Sequence, residues 1–259
     1  MRKSLLVLLL WAPFAMALLP QPGQPLDPST QQAVQRFLLH NRILDNPEDL
    51  DTAPYIIAAD NGRVMGATDE RVHARGVLDP AKSAYAVVRR GKLYTDPATH
   101  ELLGVNADDI GTARFISAGD LSTLALQRVT QEVRPGDRLL RAEPAVDPAS
   151  LKVPLNAAFI EGRIIDVPRG VTQIGVLDAV TLDRGRRDGL VEGQLLTVIK
   201  AGATVRDPLK SNSPVTLPDE PVGTLLVFRT YEKLSFGLVL SASQSLAVMD
   251  RFETAHQVQ

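Results

Sequence analysis

Apolar and polar positions change period along the chain. After Asp27-Pro28-Ser29, Val34, Phe37 and Leu38 recur at i, i+3 and i+4, with Ile43 and Leu44 closing the segment. Asp supplies a cap, and Pro suits the first helical position. The spacing predicts one short amphipathic helix over about residues 28–41, broken at Asn46-Pro47.

From Tyr55 the period drops to two. "YIIAADNGRVMGA" places two apolar runs around Asp60-Asn61-Gly62, a hairpin signal. "DERVHARG" alternates, with Val72 and Ala74 on one face. "YAVVRRG", "ARFIS" and "STLALQRV" predict further strands. In "DGLVEGQLL", glycines predict a tight connection into a buried strand, Leu195 to Ile199. "TLLVFRTYEKLSFGLVLS" is the strongest β signal, and its Phe228, Tyr231 and Phe236 fit either a core or an aromatic ligand groove.

The two β stretches share an order. "YAVVRRG…TDP" parallels "LTVIKAG…RDP", "GTARF" parallels "GTLLVF", and "PGDRLL" parallels "VMDRFE". Gly111 lies 26 residues before Asp137, and Gly223 lies 27 before Asp250. This predicts a repeated unit. The expected fold is mainly β: two tandem small β-modules, SH3-like or barrel-like, preceded by a short N-terminal helix. The expected boundaries are a signal peptide at 1–17, a linker with the helix at 18–54, β-module 1 at 55–141, a Pro-rich linker at 142–158 and β-module 2 at 159–255.

Arg2 and Lys3, the apolar run Leu5 to Phe14, and Ala15-Met16-Ala17 have the form of a cleavable export signal. The alternative is a retained anchor, but the run is shorter than the ~18–20 residues a spanning helix needs. The chain has no cysteine, so an exported product relies on its own cores rather than disulfides. The expected location is periplasmic, with any outer-membrane association made through a partner. The 28 basic and 30 acidic residues are interspersed, with no basic excess for nucleic acid.

Candidate chemistry is sparse. His40, His73, His100 and His256 are scattered without metal-ligand spacing. No nucleophile elbow and no phosphate loop occurs. "YAVVRRGKLYTDPATHELLG" offers Asp96, His100 and Glu101. His100 beside Glu101 is either an acid/base pair or two solvated residues at a hairpin end. Asp96-Pro97 and Gly104 are turn residues, while Tyr85, Val87 and Leu93 have core-like placement, which favours scaffold. Arg184, Arg186 and Arg187 either bind an anion or acidic partner, or form a solvated turn paired with Asp183 and Asp188. No catalytic, metal or cofactor-binding residue is assigned, and the partner-binding residues are unknown.

Taken in order, "YAVVRRGKLYTDPATHELLG", "GTARF", "EVRPGDRLL", "DRGRRDGLVEG" and "LPDEPVGTLLVFRTYEKLSFGLVL" resemble the type IV pilus secretin-associated proteins, LysM-containing periplasmic proteins of Gram-negative bacteria. The resemblance spans roughly Ile43 to Glu253. It implies a β-rich region similar to a domain of flagellar ring proteins, and association with an outer-membrane secretin. The family's LysM module, which binds peptidoglycan, has no counterpart: only 37 residues separate Ala17 from Tyr55. Peptidoglycan binding is therefore not carried over. The expected function is that of a non-catalytic accessory protein of a secretin. Its sheet edges could pair with the partner or arrange copies in a homo-oligomeric ring. The alternative is a periplasmic peptidoglycan- or small-ligand-binding module.

Overall fold

The computed structural model describes residues 20, 23–60, 70–79, 81, 83–142, 147–154, 157–168, 173–209 and 212–255. The expected export signal, the Asn61-Gly62 turn and His256 lie outside these residues.

Helix α1 spans Pro28–Leu38. Asp27 caps it, accepting from the amides of Ser29 at 3.0 Å and Thr30 at 3.1 Å. Hydrogen bonds from the hydroxyls of Ser29 and Thr30 hold the Asp27 carboxyl down at about 2. The helix stops earlier than its apolar spacing predicts, because Ile43 and Leu44 belong to strand β1, Asn41–Leu44. Asn46-Pro47 ends that strand and also begins a second helix, α2, Pro47–Asp51. The same pair that breaks one element supplies the cap and first residue of the next.

The protein is mainly β. Its first barrel contains β2 (Tyr55–Ala59), β3 (Arg71–Arg75), β4 (Ala84–Thr95), β5 (Leu102–Ser117), β6 (Ser122–Val129) and β7 (Arg138–Arg141). The sheet runs β5-β4-β7-β2-β3-β6, and the pairing of β6 back onto β5 closes the ring. Strand β1 adds outside it, along the first half of β5.

The second barrel contains β8 (Glu161–Asp166), β9 (Ala179–Leu182), β10 (Leu195–Lys200), β13 (Glu220–Thr230), β14 (Ser235–Ala242) and β15 (Arg251–Thr254). It is closed in the order β10-β13-β14-β9-β8-β15. Matching β2, β3, β4, β5, β6 and β7 to β8, β9, β10, β13, β14 and β15 reproduces every neighbour. The two interiors correspond as well: Ile56, Val72, Val87, Val133 and Leu139 fill one, and Ile164, Val180, Val198, Leu246 and Phe252 take the matching places in the other. The repeat in the sequence is thus a repeat of topology. Alternation puts one face of each strand inside, and closure removes the edges that a small sheet would expose.

Among the described residues, one turn recurs four times, at Arg134–Asp137, Gly175–Asp178, Val191–Gln194 and Ala247–Asp250. In each, the last residue's side chain accepts from the amide of the first, at 2.7, 2.8, 3.3 and 2.9 Å. The third residue has positive φ: Gly136 at 92°, Leu177 at 68°, Gly193 at 90° and Met249 at 79°. A buried apolar residue precedes every copy: Val133, Ile174, Leu190 and Leu246. Each turn therefore anchors a core side chain and delivers the chain into the next strand.

The barrels share a third core. Phe37 of α1 meets Phe228 edge-on at 5.5 Å and Phe236 at 4.8 Å, on the outer face of the second barrel. Tyr94 and Leu103 of the first barrel are buried in the same cluster. Phe228, Tyr231 and Phe236 are accordingly core residues. Leu93, expected inside, is 47% exposed, whereas Tyr94 is 2% exposed. An irregularity in the β4–β5 register between Arg90 and Leu93 shifts the alternation.

Candidate functional site at the barrel junction

Beyond the first barrel, β4 and β5 continue as a long hairpin. Its tip, residues 96–101, reaches the second barrel. Asp96 is buried and accepts from the amides of Ala98 at 2.8 Å and Thr99 at 2.9 Å. These amide bonds, with Arg184 at 3.8 Å, lower its carboxyl below the ordinary range. Asp96 is thus a turn former. His100 sits at φ 59° at the tip and is exposed.

Glu101 does not pair with His100. Arg187 holds it through two hydrogen bonds of 2.7 and 2.8 Å, and Lys233 lies 2.8 Å away. Those contacts, Arg187's first, lower the Glu101 carboxyl to about 2. Lys233 also donates to the Leu102 carbonyl at 3.0 Å. Of the three arginines, Arg184 lies 3.3 Å from Asp183 and Arg186 lies 3.9 Å from Glu232. Arg187 lies 3.8 Å from its neighbour Asp188 but makes its short contacts across the junction. Each of the three arginines thus lies beside an acidic side chain of its own chain. Sequence proximity pointed to Asp183 and Asp188; nothing local marks Glu101, 86 residues away.

Between residues of the two barrels lies a cleft of about 660 Å³, lined by His40, Asn41, Lys92, Tyr94, Asn106, Asp108, Asp109 and residues 166–168 among others. Lys92 pairs with Asp166, whose other oxygen accepts from the Tyr94 hydroxyl at 3.0 Å. Burial, reinforced by Asp166, raises the Tyr94 phenol well above its usual value, so it stays protonated and donates. Asn106 donates to Asp108 at 2.5 Å, and Arg128 meets Asp109 at 2.6 Å. Burial raises both Asp108 and Asp109. The cleft is therefore rich in acceptors and suits a hydrogen-bond-donating or cationic group. It brings together none of the three groups Asp96, His100 and Glu101.

His73 lies 3.1 Å from Asp60 and 3.4 Å from the Thr123 hydroxyl, on the outside of the first barrel. Among the described residues, no three His, Asp or Glu side chains converge as metal ligands, and no helix is long and apolar enough to cross a membrane.

No protein-family model matches this chain, and a search of curated proteins finds no match.

Proposed function

We propose that this protein is a non-catalytic scaffold of the cell envelope that associates with an outer-membrane secretin of the type IV pilus kind, after export to the periplasm. The observation that carries the proposal is the junction. Two barrels of one topology are held by a shared aromatic core and an ion-paired clasp, and Glu101, which in the sequence suggests chemistry, is one of the groups that hold them. A clasped pair of small barrels presents two related surfaces together, which suits docking beside a repeating ring. The sequence resemblance supplies the identity of the ring.

The test is a paired pull-down from one strain, with solubilised secretin on one bead and purified sacculi on the other. The proposal expects retention by the secretin. Retention on sacculi alone at physiological salt overturns it.

A second reading rests on the cleft. Its acceptor lining, with Asp108 raised by burial, favours a periplasmic small-ligand-binding module. Binding of a cationic or polyhydroxylated ligand that Asp108→Asn weakens, in a protein the secretin does not retain, distinguishes it.

A further inference from the structure

The hairpin that clasps the junction has a counterpart. Between β10 and β13 the second barrel sends out β11 (Thr204–Asp207) and β12 (Ser213–Thr216), a two-stranded sheet separate from the barrel. "GKLYTDP" and "GATVRDP" occupy matching places, so Val205 corresponds to Tyr94 and Asp207 to Asp96. Asp207 accepts from the Leu209 amide at 2.9 Å, as Asp96 does from Ala98. Asn212 at φ 56° matches His100 at φ 59°. The two hairpins differ in what covers them. Tyr94 is 2% exposed against the second barrel, whereas Val205 is 42% and Leu209 93% exposed. Val215 is also exposed. A two-stranded hairpin whose apolar side chains stay this exposed is marginal in water.

The receiving face is repeated too. On the second barrel it includes Phe228 and Leu234, both fully buried by α1 and the first hairpin. Leu234 precedes Ser235, which pairs with Leu182; Leu121 precedes Ser122, which pairs with Ala74. By the same register Phe228 corresponds to Ile116. Ile116 and Leu121 are 40% and 37% exposed. The charge on the face changes sign: where Lys233 meets Glu101 of the first hairpin, the first barrel has exposed Asp120, and the second hairpin has Ser213 in the place of Glu101 and an exposed Arg206 in the place of Thr95.

We propose that the β11–β12 hairpin docks on the Ile116–Leu121 face of a second copy of this chain, repeating between molecules the clasp that joins the barrels within one. The contact is heterologous, so any open assembly keeps one free hairpin at one end and one free face at the other, and assembly propagates. The inference rests on the fold and not on association with a secretin.

Sedimentation velocity of the purified protein up to millimolar concentration tests it. Mass should rise through dimer to higher species. Val205→Asp with Leu209→Asp, and separately Ile116→Asp with Leu121→Asp, should each lower the association constant by about tenfold or more. These side chains are exposed, so far-UV circular dichroism and melting should stay unchanged. A mixture of the two double variants retains one good hairpin and one good face, and should stop at a one-to-one dimer. A protein that stays monomeric throughout, association that survives both double variants, or a hairpin that crosslinks only to some other protein overturns the proposal.

Discussion

Arg187 and Glu101 meet side by side, Nη1 to Oε1 at 2.7 Å and Nη2 to Oε2 at 2.8 Å. The folded Glu101 carboxyl lies at about 2, below its ordinary 4.5. Its contribution is therefore fully present above the unfolded value and is lost as pH falls through about 2. The melting temperature of the protein should exceed that of Glu101→Gln by a constant amount above about pH 5, and the two should converge towards pH 2. The pair is partly exposed, so the difference should be small and shrink in salt. A difference that grows on acidification contradicts the clasp.

Phe228 is completely buried between Phe37 and Phe236. Phe228→Ala should cost about 3–5 kcal/mol in denaturant titration. The same measurement on Leu93→Ala should give well under half of that, because Leu93 is 47% exposed. A near-neutral Phe228→Ala would move the ring to the surface.

Met249 and Leu177 hold positive φ where the equivalent turns have Gly136 and Gly193. A left-handed residue with a β-carbon costs roughly 1–2 kcal/mol, and glycine gives back about 0.5–1 through unfolded-state entropy. Met249 is 46% exposed, so little packing is lost on its removal. Met249→Gly should raise stability by about 0.5–1 kcal/mol. Gly136→Met should lower it. Signs opposite to these would show that the turns are not equivalent.

A β-carbon on Gly111 falls 2.1 Å from the Arg128 carbonyl oxygen, in the narrow crossing of β5 and β6. At the equivalent Gly223 it falls 2.8 Å from the Ser241 carbonyl oxygen. Gly111→Ala should cost about 1–3 kcal/mol or more, and Gly223→Ala less. The order of the two thermal shifts checks the crossing geometry.

Local signals survived folding and long-range ones did not announce themselves. Asp27-Pro28 marked the start of α1, and alternation marked Val72 and Ala74 as inward-facing. The order of turns and strands disclosed the repeat, because pairing neighbours are close in sequence. Leu93 was misplaced since a strand irregularity two residues earlier inverts the alternation, and no local pattern encodes such a shift. Ring closure was hidden for a different reason: β2 meets β7 across 83 residues, from Tyr55 to Arg138. The junction was hidden most of all. Glu101 looked like half of an acid/base pair because its partners, Arg187 and Lys233, come from another barrel.

The seating of α1 has a temporal side. Val34 and Phe37 are made long before their cover, because Phe236 follows Phe37 by 199 residues. Until the second barrel forms, the helix's apolar stripe lacks Phe228 and Phe236, its aromatic cover. The unfinished protein thus carries an open adhesive surface until the second barrel is complete. A holding chaperone that recognises short amphipathic segments would find its substrate at residues 28–38.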